Sequence, residues 1–338
     1  MPPQSGDTRP QLIFSAHDNI IWVLVFLPDG RRVVFGSDDG TIGVWNLHNG
    51  RREGSLMKHK TTISSLALTR DGTKIISSDD DREIRVWDVE SHETIKEWAF
   101  PDFVPSIAIS PDDRLFAVGD RTVGIYTIAG EKVNHSIEVG NRSWSLSFSP
   151  DGNRLACGTP DDIRIYDVAT GTLIIGPLQG HEDWIWRVLW SRDGNRLLSS
   201  SQDTTIRCWN STTGEQTGLP WTGHTGGVYS ISLSPDESIL ASASWDKTVR
   251  FWNATSGDPI APCLHHEQDV TTVSFSPSGE FVASAGWDGK IYVWRVPKLN
   301  SIESQVISLL SLLLLILIML HYRRVDTYGR PISISLTA

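Results

Sequence analysis

Five times in 338 residues an aspartate is followed three positions on by a branched apolar residue and six positions on by tryptophan. The pairs are Asp39 with Trp45, Asp81 with Trp87, Asp203 with Trp209, Asp246 with Trp252, and Asp288 with Trp294. Two weaker copies end in Tyr126 and Tyr166. Together they make seven units of about 40 residues, a period that confines a chain to solenoids, propellers or arrays. A second marker keeps register with the first. His17, His59, His181, His224 and His266 each stand 22 positions before the Asp of their unit, with a turn signal midway: LPDG, TRDG, SRDG, SPDE and SPSG. Around each turn the residues alternate or are β-rich, as in VYSISLSPDESILASAS. A chain that reverses at the midpoint of this interval brings its ends together, so each His is expected beside its own Asp at one end of a β-hairpin. A third strand carrying the Trp follows the Asp turn.

Gly180-His181 and Gly223-His224 form Gly-His pairs, and Trp87-Asp88 is a terminal Trp-Asp. Other copies end in Trp45-Asn46, Trp209-Asn210, Trp252-Asn253 and Trp294-Arg295. This pattern closely resembles the WD-repeat family over residues 11–296. The resemblance implies an all-β fold, a seven-bladed β-propeller with four antiparallel strands per blade around a central channel. Unit seven runs out after its third strand, near Val296, while Gln11-Leu12-Ile13-Phe14-Ser15 precedes His17 where the family places an outer strand. That segment is expected to complete blade 7 and close the ring, hiding an edge that would otherwise invite aggregation. The expected organisation is a disordered N-terminus over 1–10, the propeller over 11–296, and a tail over 297–338 whose hydrophobic segment, 306–320, forms a helix outside the propeller.

A His and an Asp brought together near Ser199, Ser242 or Ser284 would suit a hydrolase triad. Repetition speaks against that: an enzyme needs one such site, and here there are five equivalent copies. In the family His, Ser or Thr, Asp and Trp form a buried hydrogen-bond network that locks each blade. His17, Asp39, Trp45, His59, Asp81, Trp87, His181, Asp203, Trp209, His224, Asp246, Trp252, His266, Asp288 and Trp294 are therefore assigned to the scaffold. Units three and four depart from the pattern. Phe100 and Val139 stand at the His positions, Asp120 precedes Tyr126 by six residues but in a shortened hairpin, and Asp161 falls one short.

The tryptophans outside the repeat carry the functional signal. The resemblance implies three top-face positions per unit: three and five after the His, and one before the Asp. Position five gives Trp22, Ser64, Pro105, Trp144, Trp186, Tyr229 and Thr271. Position three adds Trp184, Phe103, Arg142 and Asp269, and the position before the Asp gives Asp38, Asp80, Gln202, Trp245 and Trp287. Trp22, Trp144, Trp184, Trp186, Tyr229, Trp245 and Trp287, with Asp38, Asp80 and Asp269, are thus the candidate binding residues, suited to a cationic side chain or a protein surface. The alternative is that these rings pack on neighbouring blades at the rim. Trp98 and Trp190 are left to packing.

Composition adds exclusions. A net charge of -10 argues against a nucleic-acid backbone as the main ligand. Cys157, Cys208 and Cys263 have no metal-ligand spacing and suit a reducing compartment. MPPQSGDTRP has no apolar region for a signal peptide, so the sequons at Asn134, Asn141, Asn210 and Asn253 read as chance. No metal, cofactor or catalytic residue is called for; the expected partners are other proteins or peptides, bound by a monomeric propeller. Val306 to Leu320 is apolar except for Ser308 and Ser311. As a helix these fifteen residues span about 22 Å, short of the roughly 30 Å hydrocarbon core. An anchor to an intracellular membrane is favoured over a docking helix or an unselected extension, with the propeller in the cytoplasm and the nucleus left open.

Overall fold

A computed structural model of the chain describes residues 9–297, apart from the side chains of residues 134 and 135. Most of the expected disordered N-terminus, the sequon side chain at 134 and the whole hydrophobic segment 306–320 lie outside the described residues. Among the described residues no helix is long and apolar enough to cross a membrane.

The described chain is all β: seven antiparallel sheets, six of them meanders in chain order. Their innermost strands are Ile21–Phe26, Ile63–Leu68, Ser106–Ile109, Ser145–Phe148, Ile185–Trp190, Val228–Leu233 and Val270–Phe275. Each neighbours the next, and the last neighbours the first, so the seven blades form a closed propeller. Blade 7 takes its fourth strand from the N-terminus: Leu12–Ser15 pairs antiparallel with Lys290–Arg295 in the register Leu12↔Val293 to Ser15↔Lys290.

Local chemistry explains the hairpins. The fourth residue of each midpoint turn has positive φ, met by glycine at Gly30, Gly72, Gly152, Gly194 and Gly279. Asp113 and Glu237 hold the same conformation at φ 57° and 58°, which costs a residue with a Cβ more. Between blades, apolar side chains of one sheet pack on the next. Trp209, for example, shares a cluster with Ile163, Ile165 and Ile185 of blades 4 and 5. Blade 5 departs from the expected four strands. After Ile206–Asn210 its outer position is filled only by isolated bridges, Ile206↔Trp221 and Trp209↔Gln216, around Gly218 and Pro220. Proline has no N–H to give a ladder, so a regular strand stops there.

Candidate functional site

The scaffold network is complete in blades 5 and 6. The Trp209 indole N–H donates to Ser199 Oγ (2.8 Å), and Ser199 in turn reaches His181 Nε2 (2.8 Å). His181 Nδ1 meets Asp203 Oδ2 at 2.7 Å, and Asp203 also accepts from the Thr205 hydroxyl (2.7 Å). Trp252, Ser242, His224, Asp246 and Thr248 repeat the arrangement at 2.6–2.8 Å. Burial keeps both imidazoles below the ordinary histidine range, against the pull of their aspartates. Burial also opposes ionisation of Asp203 and Asp246, but the histidine hydrogen bonds hold both carboxyls well below the usual range. The pair is therefore a neutral His whose Nδ1–H donates to a carboxylate.

Three other blades modify it. In blade 1 the His17 ring presents Nε2, not Nδ1, to Asp39 (3.2 Å), and the Trp45 indole N–H has no acceptor among the described residues. In blade 7 His266 keeps Ser284 (3.0 Å), but Asp288 accepts from the Tyr292 hydroxyl (2.6 Å), and burial alone draws His266 down to about 3. In blade 2 the expected partner is wrong. His59 Nδ1 faces Asp79 Oδ2 at 3.4 Å, whereas Asp81 is exposed in the turn. Residues 79–81 are three consecutive aspartates, and the strand Lys74–Asp79 turns only the first inward. Glu83 joins them, so His59, Asp79 and Glu83 bring three donor atoms within 4.8 Å of one another. Positive charge there comes from Arg85, whose Nη2 lies 3.0 Å from Glu83 Oε2, and from Lys60, whose Nζ lies 3.6 Å from Glu83 Oε1. Blades 3 and 4 replace His by apolar packing: Val139 is fully buried, and Asp162, not Asp161, is the buried carboxylate, paired with Arg164 at 2.9 Å.

The top-face side chains are positioned by a recurring irregularity. In blades 1, 2, 5, 6 and 7 the innermost strand shifts register between Ile21/Val23, Ile63/Ser65, Ile185/Arg187, Val228/Ser230 and Val270/Thr272. The extra residue is Trp22, Ser64, Trp186, Tyr229 or Thr271, and a bulge of this kind re-aims its side chain. In blades 1, 2, 5 and 6 it turns toward the residue 16 positions later, whereas the Thr271 hydroxyl of blade 7 donates to the Ile21 carbonyl of blade 1. Trp22 Nε1–H donates to Asp38 (2.9 Å), Ser64 to Asp80 (2.5 Å) and Trp186 Nε1–H to Gln202 (3.0 Å), while Tyr229 stacks on Trp245 at 4.8 Å.

Ring contacts then cross the blades. Trp144 stacks on Trp184 (5.6 Å) and meets Trp186 edge-on (5.4 Å), Trp186 stacks on Tyr229 (4.4 Å), and Tyr229 reaches Trp22 (6.2 Å). Phe103 extends the run from blade 3 at 6.2 Å from Trp144, and Arg142 lies over both rings, 5.5 and 5.4 Å from their centroids. Six of the seven candidate rings therefore form one collar, and the inter-blade packing set against the binding reading is present too. Trp184 keeps 44% of its surface exposed. Trp287, 48% exposed, joins no ring pair among the described residues, because the residue 16 positions back is Thr271. Asp38 and Asp80 line the cavity inside the collar, about 410 Å³, together with Trp22, Trp144, Trp186 and Tyr229. Asp269 does not line it. Burial pushes the Tyr229 phenol up to about 12, and it raises Asp120 against the opposing charge of Arg142, 3.3 Å away.

Phe103 and Arg142 share this face without belonging to the candidate set, and Arg187, which also lines the cavity, stands at none of the three top-face positions of its unit. Trp190 is a packing residue: its indole N–H donates to the Ser147 carbonyl (3.0 Å).

Comparison with known proteins agrees with this geometry. The sequence profile described as "WD domain, G-beta repeat" matches residues 8–46, 50–88, 133–167, 173–210, 216–253 and 257–295. The stretch between 88 and 133 holds most of blade 3, whose His is missing. Among curated relatives, the intraflagellar transport protein 122 homolog of Danio rerio is 38% identical over 81 residues, 24% of this chain and 7% of that protein. The WD repeat-containing protein 91 homolog of Dictyostelium discoideum is 28% identical over 221 residues, 59% of this chain and 27% of its own length. WD repeat-containing protein 1 of Mus musculus is 41% identical over 68 residues, 19% and 11% respectively. The chain thus spans well under a third of each of these relatives. Repeats matched over more than half its length, folded into seven blades around one channel, make this chain a member of the WD-repeat family.

Proposed function

We propose that this chain is a non-catalytic scaffold that holds partner proteins on its aromatic collar, with a basic side chain of the partner against the rings and the acids of the mouth. The observation that carries the reading is the unbroken run of rings from Phe103 to Tyr229 and Trp22 beside Asp38 and Asp80. Arg142 supports the cationic preference, since a guanidinium of the chain itself already lies over two of these rings. An enzymatic reading has less behind it: Ser199 and Ser242 are fully buried, and each hydroxyl is held between an imidazole and an indole. For Val306–Leu320 the proposal of an anchor to an intracellular membrane rests on composition alone.

The test is affinity purification with wild type and the Trp186→Ala/Trp245→Ala double variant, with matched melting curves as a folding control. Loss of two hot-spot aromatics should weaken a top-face partner about 30-fold or more. Recovery of the same partners in the same amounts would overturn the reading.

A further inference from the structure

Each innermost strand places one residue at an equivalent position, immediately after the bulge in blades 1, 2, 5, 6 and 7 and at the first paired residue in blades 3 and 4. Pairing with the second strand identifies these residues as Val23, Ser65, Ser106, Ser145, Arg187, Ser230 and Thr272. Five are hydroxyl residues with one structural task, accepting a backbone N–H from the next blade. Ile107 N–H donates to Ser65 (3.0 Å), Leu146 to Ser106 (2.9 Å), Val188 to Ser145 (3.0 Å), Val273 to Ser230 (3.4 Å) and Leu24 to Thr272 (3.1 Å). The corresponding donor facing Arg187 is Ile231 N–H, and arginine has no acceptor to offer it. The hydroxyl is missing at two blades: at blade 1 an apolar Val23 replaces it, whereas at blade 5 the replacement is a cation that serves no hydrogen bond of the ring.

Among the described residues Arg187 is also the one cation lining the cavity inside the collar. It is exposed to the channel yet surrounded by protein, and burial draws its guanidinium below the ordinary range, with no neighbouring charge or hydrogen bond among the described residues to offset this. Three other arginines show the contrast, each paired with a carboxylate: Arg142 with Asp120, Arg164 with Asp162, and Arg85 with Glu83 and Glu97. Five N–H donors in a fixed fork, one residue deeper than Trp186 and unengaged, match a carboxylate. A doubly charged phosphate fits less well, because Asp38 and Asp80 share the mouth.

We infer that Arg187 receives an aspartate or glutamate side chain of the partner polypeptide, which passes the aromatic collar and enters the channel. This rests on the collar being the binding face and adds the chemistry of one ligand residue. The partner segment then carries both signs: a basic residue at the rim and an acidic one that descends to Arg187.

Two measurements on the full chain test it. Arg187→Ser restores the ring hydroxyl, so it should melt at the same temperature as wild type or roughly 2–4 °C higher, one hydrogen bond's worth. A lower melting temperature would make Arg187 a structural residue and overturn the inference. Phage-displayed random heptapeptides should then be selected on wild type and on Arg187→Ser. Wild type is expected to enrich peptides with an acidic residue at a fixed position, and Arg187→Ser to lose that preference while keeping the rest of the motif. Enriched peptides without an acid, or with the same acid preference in both proteins, overturn the inference and leave the collar standing. No enrichment by wild type removes both.

Discussion

A chain lacking residues 1–16 should melt roughly 4–8 °C lower than the full chain and form aggregates on warming. The strand Leu12–Ser15 covers Lys290–Arg295, and Gln11 N–H to the Val293 carbonyl (2.8 Å) and His17 N–H to the Gly289 carbonyl (3.0 Å) extend the pairing at both ends. The hydrogen bonds alone do not set the size of the effect. Each is worth about 1 kcal/mol net, and ordering the strand costs about 1–2 kcal/mol per residue. The surplus comes from apolar surface: Phe14 packs on Trp45 at 6.0 Å and joins the cluster of Ile291, Val293 and Phe35. Uncovering Ile291 and Val293, both buried here, exposes on the order of 2 kcal/mol of apolar contact along a bare strand edge. Because the same segment leads into the innermost strand of blade 1, it also ties the last blade to the first. Scanning fluorimetry with light scattering checks the result, and an unchanged melting curve would contradict closure by this strand.

Asp79→Ala should cost about 2–4 kcal/mol, and Asp81→Ala less than about 0.5 kcal/mol. Asp79 is fully buried; Oδ1 accepts Glu83 N–H (2.8 Å) and Oδ2 faces the His59 ring. Truncation leaves both groups facing an apolar methyl, in a site where Arg85 already takes up the charge of Glu83. The Asp81 side chain is exposed, and the hydrogen bond at this residue is a backbone one, from its N–H to Thr61 Oγ1 (3.0 Å). Urea unfolding at pH 7 separates the two. Equal losses would mean that blade 2 uses the same aspartate as blades 5 and 6.

That contrast shows how far the repeat could be read from sequence. A constant interval of 22 residues fixes which His and Asp ends of a hairpin meet, and in blades 5 and 6 they do. In Ser78-Asp79-Asp80-Asp81 spacing cannot choose among neighbours, because a strand's side chains alternate and only the register of Lys74–Asp79 decides which carboxylate turns inward. His266 and Asp288 keep the interval, yet Tyr292 inserts between them, an aromatic contact no spacing rule encodes. The collar was legible for the residue that bulges, since each bulge sits at the same step of its unit. Arg187 was hidden for the same reason: with Trp186 taken as the surface residue, strict alternation sends its neighbour into the sheet, whereas the bulge shifts the phase and turns Arg187 into the channel. Trp287 erred the other way, sharing the right position but finding Thr271 where Tyr229 serves Trp245.

The central claim, that partners sit on the collar, is tested most directly by site-specific photocrosslinking. A benzoyl-phenylalanine is placed at Trp184, 44% exposed beside the stacked rings, or at Leu219, 84% exposed in the outer segment of blade 5. Leu219 is the more exposed apolar site, so indiscriminate contact would favour it. Adducts with other proteins should form from position 184, disappear when Trp186→Ala/Trp245→Ala is added, and be scarce from 219. Adducts that form chiefly from 219, or persist from 184 in the double variant, would contradict a partner held by the aromatic collar.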